Sequence, residues 1–200
     1  MNVDRKVLLP VGTAALALAA AGFAGAGLAG DGGEHAAVRA GAAPAAATSA
    51  VGPHKCGKTP SKNLHLSRTT ILKRGKSWVT AKVPYSQTGT PYCNSYGRYR
   101  RDCSGFVSMA WGLHTSYWTG SLLGVSKKVS NVKKVAKGDA LTHYPKSSAR
   151  GHVALVVSKG EKGVYVYAEP HTGSYAQKQY WSWKYIKSNH YYGIRYKNVK

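Results

Sequence analysis

The pattern of apolar positions changes character along the chain. From Val7 to Gly30 it runs almost unbroken as "VLLPVGTAALALAAAGFAGAGLAG"; from 31 to 52 large apolar side chains all but vanish. Between Ser67 and Gly112 apolar residues recur at helical spacing, and beyond Gly138 they fall into short runs rich in Val, Tyr and Ile. Ile71, Leu72, Trp78 and Val79 predict a first helix, with Ser67 as its N-cap and Pro84 as a stop. The turn-rich "PYSQTGTPYCNSYGRYRR" predicts a loop. Asp102 is placed to cap a second helix, in which Phe106, Val107, Ala110 and Trp111 form one stripe that ends near Gly112. Residues 113–137 read as irregular chain with a short helix. "DALTHY", "GHVALVVSK", "GVYVYAEPH" and "HYYGIRYKNV" then predict antiparallel strands, with "QYWSWKYI" as a further candidate. Helices first and strands second give an α+β class, helices on one side of a small antiparallel sheet.

The apolar start, behind Arg5 and Lys6 and followed by small-residue sites such as Ala24-Gly25-Ala26, reads as a signal peptide over 1–30. An uncleaved anchor is the alternative, although Pro10 and Gly12 interrupt the stretch. Residues 31–52 read as an Ala/Gly-rich linker or pro-segment, too poor in large side chains to offset chain entropy. That leaves residues 53–200 as the folded domain, expected to be a monomer with no membrane span once the signal is cleaved. A domain of roughly 150 residues can bury a sufficient core without a metal or cofactor. No C-x-x-C or H-E-x-x-H spacing points to a metal, so neither metal nor cofactor is expected.

Charge adds a partner class. The chain has 29 Lys+Arg against 7 Asp+Glu, a formal net charge of +22. Beyond position 50 only Asp102, Asp139, Glu161 and Glu169 are acidic. Such a chain seeks polyanions. For an exported protein these are anionic wall polymers, anionic lipid or extracellular nucleic acid; a surface adapted to high ionic strength is the bland alternative. Three cysteines in an oxidising compartment suggest one pair and one free thiol. Cys56 and Cys93 lie in loop-like contexts flanking the first helix, which favours them as the disulfide and leaves Cys103 free.

Cys103 stands at a predicted helix start, where free backbone N–H groups and the helix dipole favour a thiolate. Ser104 and Gly105 are small enough to admit a substrate backbone, and the Cys103 N–H is available as an oxyanion donor. The alternative is a buried structural thiol. A nucleophilic thiol needs a base, usually a histidine held by a third group. Among eight histidines, His152 is distinctive in heading the strand run "GHVALVV". A two-residue hairpin turn at Gly160-Glu161 sets Lys159 opposite Lys162 and His152 opposite Glu169; a turn two residues longer brings His171 there instead. Pro170 ends ladder pairing and favours Glu169.

"DCSGFVSMAW", "GHVALVV" some fifty residues on behind a "KGDAL" segment, and "VPYSQ" ahead of both resemble the NlpC/P60 family of papain-like cell-wall cysteine peptidases, over about Ser67 to Tyr196. The resemblance implies a nucleophile at a helix start packed on a small antiparallel sheet, and hydrolysis of amide bonds in peptidoglycan stem peptides. Carried over by motif position, Cys103 is the nucleophile, His152 the base, and Tyr85 the tyrosine near the nucleophile. The third polar position falls in "YAEPH", where Glu169 is preferred over His171 and Tyr167. The family more often has His, Asn or Gln there. The expected protein is secreted or wall-bound, with peptidoglycan and anionic wall polymers as partners and no dedicated nucleic-acid role. A wall-binding protein without catalysis, and an amidase or acyltransferase acting on another substrate, are the competing readings.

Overall fold

The computed structural model describes residues 55–144 and 151–200. The expected signal segment and linker lie outside the described residues. Helix α1 (Arg68–Thr80) starts where expected: the Ser67 hydroxyl accepts the Thr70 N–H. Helix α2 (Cys103–Trp111) starts at Asp102, whose carboxylate accepts the Gly105 N–H at 2.6 Å, and ends at Gly112 in the left-handed region, φ 66°. All nine residues of α2 are buried, as for a helix enclosed on every side. Gly105 is required here, since a Cβ would collide with the Arg100 carbonyl.

Between the helices, β1 (Tyr92–Asn94) and β2 (Gly97–Tyr99) form a small hairpin inside the segment read as loop. Three residues per strand are too few for a period-2 signal. Cys56 and Cys93 form a disulfide that ties the described N-terminal stretch to β1. Replacing both by serine is expected to cost about 4 kcal/mol through loop entropy in the unfolded chain, read as a lower urea midpoint. An unchanged midpoint contradicts that account.

A six-stranded antiparallel sheet follows in the order β3, β8, β4, β5, β6, β7. Its strands are β3 (Ser126–Lys128), β4 (Ala140–His143), β5 (His152–Lys159), β6 (Gly163–Ala168), β7 (Gln177–Ser182) and β8 (Tyr192–Tyr196), with α3 (Trp183–Ser188) between the last two. The candidate strand "QYWSWKYI" divides at Ser182, whose hydroxyl accepts the Tyr185 N–H and starts α3. Residues 113–137, expected as irregular chain with a short helix, hold two 3-10 turns (Ser121–Val125 and Val132–Lys134) and the edge strand β3.

The sheet separates two apolar clusters. On one face Val153, Leu155 and Ile194 pack against Ile71, Phe106 and Trp111 from the helices. Here Gly75 lets α1 approach closely, for a Cβ would sit 2.8 Å from Leu155 Cδ2. The other face carries Leu141, Ala154, Val156, Val164, Val166 and Trp181 around Ile186 of α3. Asp139, fully buried, is held by Arg68 and Arg195 at 2.8 Å each and joins α1 to β8.

The β5–β6 hairpin corrects the expected register. Lys159 pairs with Val164, not Lys162, and a bulge between Val156 and Ser158 then shifts the ladder so that Leu155 pairs with Tyr167. Continued to the strand end, this register sets Glu169 across from Val153, so neither Glu169 nor His171 faces His152. A one-residue slip changes face. Alternation along β6 places Glu169 with Tyr167, opposite to Val164, Val166 and Ala168, and the bulge in β5 gives His152 the strand position of Ala154 and Val156 instead of the one shared with Glu169.

Candidate active site

The helix-side chemistry begins with the Asp102 cap. Arg100 Nε donates to Asp102 at 2.7 Å, and the same guanidinium reaches Ser104 Oγ and the carbonyls of Ser116 and Tyr117. Ser104 Oγ donates to Asp102 Oδ1 at 3.1 Å, so its hydroxyl belongs to this capping network. Cys103 follows as the first residue of α2, 6% exposed. Its backbone N–H has no hydrogen-bond partner among the described residues.

The thiol is the free one of the three cysteines. Burial pushes it up to about 11, and the Asp102 carboxylate adds to the rise; the Val153 amide, the Thr119 hydroxyl and the Ser104 amide pull the other way. The thiol is thus raised where acidification was expected, with desolvation as the largest cause. At neutral pH the sulfur carries its proton.

His152 opens β5, directly before the Val153 amide that contacts the thiol. Its ring lies 6.0 Å from that of Trp181 and 6.2 Å from that of Tyr191. Burial lowers the imidazole to about 4, with further lowering from His171 and His143. It too is neutral at neutral pH. No hydrogen bond joins His152 to Cys103 among the described residues. His171 is exposed, its N–H donating to Ser174 Oγ at 3.1 Å and its Nδ1 lying 2.8 Å from the Thr172 carbonyl.

Tyr85 is fixed by its backbone. Its N–H donates to the Ser174 carbonyl, the next N–H donates to the Arg101 carbonyl, and bridges at Pro84–Tyr175 and Ser86–Arg101 hold the segment beside the start of α2. Burial raises the phenol to about 12, with Cys103, Asp102 and Glu169 each adding to the rise. Glu169 is 0% exposed, and neither carboxylate oxygen has a hydrogen-bond partner among the described residues. Burial raises it to about 9, Asp102 contributes, and Arg101 opposes. Glu169 is therefore an uncharged carboxylic acid at neutral pH. The structure brings Cys103, Ser104, Tyr85 and Glu169 near one another and packs the imidazole of His152 beside Trp181 and Tyr191.

Sequence reasoning missed the walls of the site. A cleft of about 110 Å³ over Cys103 is lined by Trp118, Thr119, Tyr144, Gln87 and Gly151. Trp118 is 53% exposed and meets Tyr144 edge to face, ring centroids 5.3 Å apart. A lone tryptophan in the turn-rich "HTSYWTG" is the signal that could have flagged it. Among the described residues, no group of three or more His, Cys, Asp or Glu side chains could hold a metal ion, and no helix is long and apolar enough to cross a membrane.

No protein-family model matches this chain, and no curated protein does. Its structure is similar to that of a mutated resuscitation promoting factor interacting protein RipA, at 19% identity and TM-score 0.47, covering 64% of this chain and 61% of that one. It is also similar to Rv1477, described as a hypothetical invasion protein of Mycobacterium tuberculosis, at 19% identity and TM-score 0.48, covering 70% and 69%. An NlpC/P60 family protein from Bacillus cereus is similar at 20% identity and TM-score 0.46, covering 68% of this chain and 41% of that one.

Proposed function

We propose that the protein is a secreted thiol hydrolase that cleaves amide bonds in peptidoglycan stem peptides, with Cys103 as nucleophile and His152 as base. The observation that carries this reading is the thiol at the first residue of α2, on the floor of a cleft, beside an unpartnered backbone N–H. The motifs "DCSGFVSMAW" and "GHVALVV" point the same way.

As Cys103 sulfur attacks the amide carbon, its proton passes to His152 and the carbonyl oxygen turns toward the Cys103 N–H. His152 then gives that proton to the departing amine as the C–N bond breaks. Water attacks the thioester, its proton returning through His152 to sulfur, and the carboxylic acid leaves. Proton transfer needs the imidazole within about 3 Å of sulfur. His152 directly precedes Val153, whose amide acts on the thiol, and the imidazole turns from Trp181 and Tyr191 toward sulfur when substrate is bound.

Trp118 and Tyr144 give the cleft an aromatic wall suited to an apolar side chain or a sugar face. Trp118→Ala is expected to raise KM about tenfold while kcat stays within about threefold, because the ring binds ground state and transition state alike. A fall in kcat with KM unchanged contradicts this role. The reading as a whole is tested by digesting purified peptidoglycan and identifying the fragments by mass spectrometry. New amino termini at a stem-peptide amide support it. Wall binding without fragments favours the non-catalytic wall-binding protein.

A further inference from the structure

A second hollow shares no lining residue with the cleft over Cys103. Val132, Trp183 and Tyr191, all half-buried, and the exposed Lys133, Lys184 and Lys187 line a hollow of about 740 Å³. Trp183 Nε1 donates to the Glu161 carbonyl at 2.7 Å, so the indole's polar edge is satisfied and its face is left for contact. The 3-10 turn Val132–Lys134 also borders a neighbouring hollow of about 500 Å³ lined by Lys127, Lys134 and Arg195. No carboxylate lines either one. The reason extends over the molecule: Asp102, Asp139 and Glu169 are buried, and Glu161 is the one exposed carboxylate among the described residues. No salt bridge ties up Lys133, Lys184 or Lys187 among the described residues, so these lysines are left for an external anion.

We infer that the Lys133–Lys184–Lys187 hollow, with Trp183 in its floor, binds a chain of sugar- or polyol-phosphate units, the lysines meeting phosphates and the indole a sugar face. The Cys56–Cys93 disulfide fits an oxidising compartment, and outside the cell such a polymer rather than intracellular nucleic acid is the available phosphodiester. The choice of polymer rests on the exported wall-enzyme reading; the site itself does not, and it is tested by binding alone.

The test uses the full chain with Cys103→Ala, so that cleavage plays no part. Purified glycerol-phosphate wall polymer and a single-stranded oligonucleotide of equal phosphate number are the two probes. Lys133→Gln/Lys184→Gln/Lys187→Gln is compared with Lys55→Gln/Lys58→Gln/Lys62→Gln, which removes three exposed charges elsewhere. Thermal melting confirms that both variants fold. The expected result is that the hollow variant binds the wall polymer at least about tenfold more weakly near 50 mM salt and loses about two units of salt slope, while the control changes less than about threefold. Trp183→Ala is expected to weaken the wall polymer further without changing the slope. Equal losses from both lysine sets, or tighter binding of the oligonucleotide than of the wall polymer, overturn the proposal. Peptidoglycan fragments missing from the wild-type digest bear on the hydrolase reading and leave this one standing.

Discussion

Cys103→Ala is expected to lower amide hydrolysis of peptidoglycan by about a thousandfold or more while the fold persists. Alanine removes one buried sulfur and keeps the helix propensity of the position, so the stability cost is about 1 kcal/mol. The wild-type profile carries a second expectation from the same site. With the thiol at about 11 and the imidazole at about 4, the resting pair is uncharged across neutral pH. Hydrolysis should therefore be nearly flat from about pH 5 to 9, failing in acid as His152 protonates. Iodoacetamide should label Cys103 slowly at neutral pH, since the thiolate is scarce. A rate that climbs tenfold per pH unit through pH 7–8 contradicts the neutral pair.

Glu169→Gln is expected to stabilise the protein near pH 8 and to leave it unchanged near pH 4. The folded carboxyl titrates at about 9 against an ordinary 4.5. A raised folded value means that the side chain's stability is fully present below pH 4.5 and is lost as pH rises toward 9. Over that window the loss is on the order of several kcal/mol, because the unfolded chain ionises freely while the buried acid does not. Glutamine matches the neutral acid in shape and stays neutral throughout. Paired melting curves should coincide in acid and separate above about pH 5, with a gain on the order of 10 °C near pH 8. The same variant addresses catalysis. If Glu169 ionised to orient His152, its loss would lower kcat a hundredfold or more, on the order seen for triad members. The β5–β6 register, continued past Leu155–Tyr167, sets Glu169 across from Val153 and not His152, so activity should stay within about tenfold. Destabilisation at every pH would show that Glu169 has hydrogen-bond partners that glutamine cannot replace.

The helices were legible because their signals are local. Ser67 and Asp102 cap α1 and α2 as read, and Gly112 ends α2 with the positive φ that a stop of this kind needs. The strands from Gly138 onward were legible from β-branched and aromatic runs between turns. What escaped depends on pairing between distant segments. Strand β3 has three residues and exists through its ladder with β8; the bulge at Val157 has no marker in "HVALVVSK". That bulge decides how His152 stands relative to Glu169, so their pairing could not be read from spacing. Ionisation escaped for a related reason: a cysteine at a helix start suggests a thiolate, but its burial is a tertiary fact, and burial raises the thiol.

The central claim is that Cys103 attacks a stem-peptide amide. Acid quench of the wild-type protein during turnover of purified muropeptides, followed by mass spectrometry of its peptides, tests this most directly, because an acyl-thioester survives acid. The account predicts that the peptide containing Cys103 gains the mass of the acyl half of the substrate, and that the gain disappears when substrate is exhausted. Continued release of fragments by the Cys103→Ala protein, with no adduct on the wild type, would contradict it.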